Sequence, residues 1–303
     1  MGIAGDSLIV GVGITTRDRW IDLASSLDRL RRNAEFAVDQ IIVIDDGSKT
    51  ACPEEIKAQF PEVTFLRDEK PKGYIAQRNR LGRILETDYY LSLDDDSFPI
   101  AGSLKDAADF MRIRPEIFCL AFNLVSTEAE TPPLPVEGEP RQVRYFIGCA
   151  HLLDRHKFVE IGGYHEELSF YNEEWEISAR IVGRGWQIVC YPAVVICHLR
   201  SMVNRFSAHR SFYFTRGKMI FTLWTVPAAQ LPFRLAVTPL SCIRWMALRD
   251  WPAALNGAIQ GMWAGLRLLK QKRSPLTKAA YDHWRHCPWP PCQAIRTPDA
   301  IAT

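Results

Sequence analysis

One stretch of the sequence decides the fold, YYLSLDDD at residues 89–96. Its first five residues are aromatic, aliphatic or small and predict a buried strand, which ends at three successive carboxylates, Asp94, Asp95 and Asp96. Adjacent carboxylates repel one another unless a cation lies beside them. Oxygen ligands at a strand end suit Mg²⁺ or Mn²⁺, ions that also bind the phosphates of a substrate. We therefore interpret the triplet as a metal site, and the alternative is a solvated acidic turn.

A second acidic strand end lies upstream, in IIVIDDGS at residues 41–48. Asp45 and Asp46 follow four β-branched residues there, and the local alternative is an ordinary Asp-Gly-Ser turn. In alternating α/β chains the carboxyl ends of parallel strands lie along one edge of the sheet, where ligands bind. The two acidic ends are therefore expected to share a ligand site.

Hydrophobic patterning predicts an α/β fold, a mostly parallel sheet with helices on both faces. In the helix predicted at residues 17–32, Ile21, Leu23, Leu27 and Leu30 are expected to point inward. Residues 128–140 carry four prolines and four glutamates and predict a loop. The predicted strands are 8–14, 40–45, 63–66, 89–94, 118–124, 143–153, 187–191 and 194–197, and the other helices are 75–85, 104–111, 173–184 and 207–224.

The sequence VGVG at residues 10–13 invites comparison with a dinucleotide-binding turn. That fingerprint requires a third glycine at position 16, where this chain has Thr16. A Gly-x-Gly pair without the third glycine is a weak signal, so a dinucleotide-dependent dehydrogenase is disfavoured.

Several segments, in this order and spacing, resemble those of the family 2 inverting glycosyltransferases, which have the GT-A fold. The resemblance covers roughly residues 7–220, and Asp94-Asp95-Asp96 stands at the Asp-x-Asp position of that family. The segments on which the resemblance rests are ITTRDR at 14–19, VIDDGS at 43–48, GYIAQRN at 73–79, LDDD at 93–96, GGY at 162–164, NEEWE at 172–176 with Arg180, and His198 after the YPAVV of 191–195.

The resemblance implies a nucleotide-sugar donor and a divalent metal. Asp96 would hold Mg²⁺ or Mn²⁺, with His198 as a further ligand, and Asp94 would meet the ribose or the metal's waters. Asp45 would accept a hydrogen bond from the nucleobase, and Arg78 would pair with the base edge or a phosphate. The nucleotide-binding set implied by the resemblance is Thr15, Arg17, Asp45, Asp46, Arg78 and Asp94.

An inverting transfer needs one carboxylate to take the proton of the acceptor hydroxyl. We predict Glu174 as this base, with Glu173 as the alternative. Sequence neighbours cannot share a helix face, so only one of the two can point into the cleft. On local evidence, Glu174 and Glu176 also fit a solvated first helical turn. His198 at a strand end is by itself more often structural than a metal ligand.

The last third of the chain differs in charge from the rest. Residues 1–199 hold 22 Lys and Arg against 32 Asp and Glu, a balance of −10, whereas residues 200–303 hold 15 against 3, a balance of +12. Six of the nine tryptophans lie in this basic part. A stripe of Leu255, Ile259, Met262, Leu266 and Leu269 predicts a helix that either packs on the catalytic domain or lies in a membrane interface.

At 303 residues and 47% hydrophobic content, the chain is long and apolar enough for one large domain with an appendage. We predict a GT-A catalytic domain at 1–220 and a basic, Trp-rich helical appendage at 221–303. The predicted activity is metal-dependent inverting transfer of a sugar from a nucleotide-diphosphate donor to a saccharide or lipid-linked acceptor. The alternative is a catalytically silent member of the fold that binds nucleotide sugar or glycan.

No cationic-then-apolar stretch opens the chain, and eight cysteines without regular spacing favour reduced thiols. Cys287 and Cys292 flank Pro-Trp-Pro-Pro, which is only a weak zinc signal. These features predict a cytoplasmic protein, either free or peripheral at the inner face of the cell membrane. No nucleic-acid partner is expected.

Overall fold

A computed structural model describes residues 10–126, 138–199, 207–244 and 246–290. The chain divides into two compact units. The sheet unit comprises the described residues up to 163, together with 187–199 and 290, and the helical unit comprises 164–186 and the described residues from 207 to 289. The predicted boundary at residue 220 stays a prediction about the extent of the catalytic domain.

Within the described residues, the sheet unit is built on a mixed nine-stranded sheet with the order β3-β2-β1-β4-β8-β6-β9-β5, and β7 pairs with β9. The first four of these strands are parallel, whereas β8 runs antiparallel to both β4 and β6. The predicted α/β class is confirmed. The strands are β1 Val10–Thr16, β2 Gln40–Asp46, β3 Val63–Asp68, β4 Tyr89–Asp94, β5 Ser97–Ala101, β6 Ile117–Val125, β7 Arg141–Gln142, β8 His151–Asp154 and β9 Gln187–His198.

The helices of this unit are α1 Trp20–Arg32, α2 Glu54–Gln59, α3 Tyr74–Ile84, α4 Leu104–Arg112 and α5 Arg155–Glu160. In α1, Leu23, Leu27 and Leu30 are buried as predicted. Ile21 is 86% exposed, so its predicted inward position is wrong. A residue two positions before Leu23 lies about 200° around the helix, on the opposite side.

Two predicted strands differ from the observed ones. The strand predicted at residues 143–153 is reduced to β8, His151–Asp154, and the two short strands predicted at 187–191 and 194–197 are one strand, β9. The register of the β6–β9 pairing shifts between Phe122 and Asn123, and β9 continues as a single strand through Pro192. Most of the loop predicted at 128–140, and residues 8 and 9 of the first strand, lie outside the described residues.

The glycines of the VGVG sequence lie in β1 and leave room for neighbouring side chains to pack on this strand. A Cβ atom at Gly13 would lie 2.6 Å from the ring of Tyr90 and 3.0 Å from Leu81 of α3. One at Gly11 would lie 2.8 Å from Leu85 and Thr87. These distances are too short for carbon atoms, so a side chain at either position would force its neighbours to shift.

The helical unit contains α6 Glu173–Gly183, α7 Ser207–Thr225, α8 Leu231–Ile243, α9 Trp251–Arg267, α10 Leu269–Lys272 and α11 Lys278–His286. Helices α6 and α11 share an apolar cluster with α7, in which Trp175 and Trp284 pack edge to face with ring centroids 5.7 Å apart. Of the helices in the described part of the chain, none combines the length and hydropathy needed to cross a membrane.

Candidate active site

The sheet register brings the two acidic strand ends to one edge. Thr15 at the end of β1 lies beside Asp94 of β4, and Thr16 lies beside Asp45 of β2. These strands are parallel, so their carboxyl ends open in the same direction. The shared edge is the place where open α/β sheets bind ligands.

Asp45 and Asp46 are both buried and both engage backbone amides. Asp45 accepts a hydrogen bond from the amide of Ser48 at 2.8 Å and pairs with Arg67 at 2.9 Å. Asp46 accepts from the amides of Lys72 at 2.7 Å and Gly73 at 3.0 Å, and from the side chain of Gln77 at 2.7 Å. The hydrogen bond from the Ser48 amide to Asp45 is the one expected of an ordinary Asp-Gly-Ser turn, which was the local alternative for this segment. The Asp46 contacts hold the segment that leads into α3.

Asp94 pairs with Arg78 of α3. The Arg78 Nη2 donates to Asp94 Oδ1 at 2.6 Å, and its guanidinium lies 4.8 Å from the ring centroid of Tyr74. Arg78 is buried, whereas the Asp94 side chain keeps 31% of its surface exposed. An arginine held on both sides in this way presents Asp94 to the sheet edge in a fixed orientation. Of the other nucleotide-binding candidates, Thr15 is half-buried and Arg17 is exposed.

Arg19, just before α1, joins the other two carboxylates of the triplet. Its Nη1 lies 2.9 Å from Asp95 Oδ1 and its Nη2 lies 2.7 Å from Asp96 Oδ2. Burial opposes the charge of Arg19, but Asp95, Asp96 and Asp22 outweigh it and raise the arginine's pKa. Burial also raises the pKa of Asp95 to about 7, against the effects of Arg19 and of the Thr16 hydroxyl.

His198, at the end of β9, meets the triplet from another strand. Its Nε2 lies 3.1 Å from Asp96 Oδ1 and 3.9 Å from Asp94 Oδ2, while its Nδ1 lies 3.6 Å from the Sγ of Cys149. Ligand atoms of Asp94, Cys149 and His198 all lie within 4.8 Å of one another. The structure thus brings together the three residues predicted as metal ligands, Asp94, Asp96 and His198, and adds Cys149.

Cys149 was missed by sequence reasoning. It lies 49 residues before His198 along the chain, and no spacing motif links the two. Carboxylate, imidazole and thiolate are all ligands for first-row divalent metals, and the thiolate makes the set softer than carboxylates alone. These residues fit a divalent metal: the carboxylates suit Mg²⁺ or Mn²⁺, and imidazole binds first-row transition metals.

The predicted base residues belong to the helical unit. Glu173 and Glu174 begin α6, directly after Asn172, whose φ of 69° is left-handed. Asn172 is held there by its side chain, which donates to the carbonyl of Phe214 at 3.0 Å. Glu173 is 1% exposed, whereas Glu174 is half-buried. The helix dipole favours both carboxylates in this first turn.

Glu176, also in this turn, has a structural role. Arg180 pairs with it through two nitrogens, at 2.8 Å and 2.7 Å. His165 Nδ1 lies 3.3 Å from the same carboxylate. Trp175 packs among Phe221, Trp284 and Trp289, so its ring contributes to the core of the unit.

The fold is that of glycosyltransferases of the GT-A type, and comparison with known families agrees. The sequence model described as glycosyl transferase family 2 matches residues 12–175. The chain therefore belongs to glycosyl transferase family 2, and it is a glycosyltransferase. No curated protein sequence matches it.

Solved glycosyltransferases share the fold at low sequence identity. GalNAc-T7, in a structure with UDP, GalNAc and Mn²⁺, is 16% identical to this chain, with a TM-score of 0.65. The match covers 95% of this chain but only 59% of the GalNAc-T7 chain. Residues 1–349 of S. aureus TarS in complex with UDP-GlcNAc are 14% identical, with a TM-score of 0.58, covering 84% of this chain and 82% of that one. The mannosyltransferase PcManGT from Pyrobaculum calidifontis, with GDP-Man and Mn²⁺, is 13% identical, with a TM-score of 0.56, covering 93% and 84%.

Proposed function

We propose that the protein is a metal-dependent inverting glycosyltransferase that moves a sugar from a nucleotide-diphosphate donor to a saccharide or lipid-linked acceptor. The observation that carries this proposal is the convergence of Asp94, Asp96 and His198 at the carboxyl edge of the sheet. Two solved relatives in fold contain Mn²⁺ together with UDP or GDP-Man, which supports the same class of ligands here.

Asp94, Asp96, His198 and Cys149 would hold the metal. Bound there, Mg²⁺ or Mn²⁺ would act as a Lewis acid that neutralises charge on the leaving diphosphate. Asp96 can serve both the metal and the protein because its two oxygens face different partners, Oδ2 toward Arg19 and Oδ1 toward His198. Arg19 orients this carboxylate, and Arg78 does the same for Asp94.

The nucleotide would bind along the edge formed by β1, β2 and β4. Thr15 and Asp94 are neighbours in the register and would meet the ribose and phosphates. Asp45 keeps an Oδ2 contact with Arg67, so this pair would present a carboxylate and a guanidinium edge to the nucleobase. Arg17, exposed just after the end of β1, would contact a phosphate.

The acceptor hydroxyl would attack the sugar's anomeric carbon from the face opposite the diphosphate. Glu174 would take the hydroxyl proton as the new glycosidic bond forms and the bond to the diphosphate breaks, releasing the nucleoside diphosphate. Its partial exposure supports this choice over Glu173, which is almost fully buried. A single carboxylate suffices because one displacement inverts the configuration.

The test compares Asp96→Asn and Glu174→Gln. Donor binding is measured as the thermal shift caused by UDP-sugars and GDP-sugars with and without Mn²⁺, since a ligand raises apparent stability by mass action. Turnover is measured as release of nucleoside diphosphate. Asp96→Asn should lose the metal-dependent part of donor binding. Glu174→Gln should bind donor normally and lose about 10²–10⁴-fold in turnover, the contribution of a general base.

Glu173→Gln is the matched control and should lower turnover less than Glu174→Gln does. A larger effect at Glu173 would move the base to that residue. Unchanged metal dependence in Asp96→Asn would contradict the metal site. Donor binding by the wild-type chain without any donor hydrolysis or transfer would favour the silent nucleotide-sugar-binding alternative.

A further inference from the structure

The packing of α9 is inverted relative to that of an ordinary surface helix. Its small residues face α7: a Cβ atom at Gly257 would lie 2.3 Å from the carbonyl oxygen of Phe212, and one at Gly261 would lie 2.5 Å from that of Arg216. A Cβ at Gly265 would lie 2.4 Å from Leu223. Glycines every four residues therefore allow the two helix backbones to approach closely.

The large apolar side chains of α9 consequently point away from α7. Leu255 is 55% exposed, Ile259 63%, Trp263 64% and Leu266 52%. These four residues, here called the outer stripe, recur at intervals of four, four and three and so lie on one face of the helix. Met262 and Leu269, which the sequence pattern included in the stripe, are half-buried. A surface helix normally shows the opposite arrangement, with its large apolar residues inward.

The neighbouring helix α8 is also apolar and exposed. Phe233 is 64% exposed and Leu240 is 68% exposed, and within this helix only Cys242 is buried. Exposed large apolar residues scattered singly need no explanation, but several on adjacent helices indicate a surface that contacts something other than water.

The charge around these helices indicates what that contact is. Residues 228–270 contain five basic residues, Arg234, Arg244, Arg249, Arg267 and Lys270, and a single acidic one, Asp250, which is buried. A second copy of this chain would place like charges against one another. An anionic membrane face would neutralise them, and tryptophans such as Trp263 are favoured at the headgroup level.

We propose that the outer stripe of α9, with the exposed face of α8, docks the protein on an anionic lipid membrane in the plane of its surface. The apolar side chains enter the boundary between headgroups and acyl chains, and the surrounding arginines meet the lipid phosphates. This docking goes beyond the transfer reaction. Its readout needs no donor or acceptor, so its failure and the failure of the proposed activity are distinguishable.

The experiment is vesicle flotation of the full chain. One vesicle preparation is phosphatidylcholine alone, and the other contains an equal share of phosphatidylglycerol. We expect binding to the anionic vesicles at low salt and marked release at about 1 M salt, where the screening length falls to about 3 Å. Absence of binding to anionic vesicles by the wild-type chain would overturn the proposal.

Two variants identify the surface. The triple variant Leu255→Gln, Ile259→Gln and Trp263→Gln changes only exposed side chains and should lower vesicle partitioning by more than about tenfold. The double variant Arg249→Gln and Arg267→Gln should lower it by about fivefold for each arginine removed. The double variant retains the apolar stripe, so it tests the docking even if the triple variant folds poorly.

The matched control places the same chemical change elsewhere. Ile21→Gln with Ile113→Gln alters two exposed apolar residues of the sheet unit, which are 86% and 63% exposed, and should bind vesicles like the wild type. Undiminished vesicle binding by the triple and double variants would overturn the proposal. So would a dimer in solution that the triple variant dissociates while the wild type ignores vesicles, because the face would then be a protein interface.

Discussion

At the scale of single residues, the three carboxylates at the end of β4 each meet a protein cation. Asp94 pairs with Arg78, and Asp95 and Asp96 share Arg19. Repulsion within the triplet is therefore relieved by arginines before any metal is considered. The proposed metal is supported instead by the ligand set, in which imidazole, carboxylate and thiol atoms from separate strands and loops converge.

The contact of Cys149 with His198 leads to a spectroscopic prediction. Cd²⁺ added in place of Mn²⁺ should produce a thiolate-to-metal absorption band, because Cys149 would be a soft ligand in the set. Cys149→Ser should lose the band and bind Cd²⁺ on the order of 10–100-fold more weakly. Cys52→Ser, which alters another buried thiol, is the control and should keep both. A band that persists in Cys149→Ser would exclude the thiol from the metal's ligands.

At the scale of elements, the close approach of α7 and α9 depends on glycine. Gly261→Ala would put a methyl group against the carbonyl oxygen of Arg216, which is backbone and cannot rotate away. We expect the helices to be forced apart at a cost of about 1–3 kcal/mol, larger than the gain of up to about 1 kcal/mol in helix propensity. Urea unfolding measures the change in free energy.

Asn256→Ala, on the exposed side of the same helix, is the matched control for that glycine substitution. It should change the free energy of unfolding by no more than about 0.5 kcal/mol. Stabilisation by Gly261→Ala would mean that helix propensity dominates and that the two helices have room to spare.

At the scale of the whole molecule, titration of the half-buried His165 should make stability depend on pH. Burial lowers the pKa of His165, Arg180 and Lys272 lower it further, and Glu176 opposes them. The unfolded chain takes up this proton near the ordinary histidine pKa of about 6.5, whereas the folded protein takes it up only at lower pH. Stability is therefore fully present above about pH 6.5 and is lost as the pH falls toward the folded pKa.

The measurement compares urea unfolding of the wild type and His165→Asn at about pH 7.5 and about pH 5.5. The wild type should lose more stability on acidification than the variant, by at most about 1.4 kcal/mol per pH unit. Equal losses in the two proteins would show that His165 titrates alike in the folded and unfolded states.

The sequence by itself determined the sheet and its acidic edge. Strands β2 and β4 and helices α3 and α4 lie within one or two residues of their predicted positions, because buried strands and amphipathic helices are encoded by local patterns. The ligand atoms of Asp94, Asp96 and His198 do come together, since parallel strands align their carboxyl ends. The roles predicted for these residues, and for Glu174, stay predictions.

Only the tertiary structure decided the contact partners of these residues and which face of α9 is buried. The contacts of Cys149 with His198 and of Arg19 with Asp96 join residues 49 and 77 positions apart, and no local pattern encodes such distances. In α9 both faces are apolar, so periodicity alone left the buried face open. The fit of Gly257 and Gly261 against the backbone of α7 settled it, because the side with the smallest residues permits the closest packing.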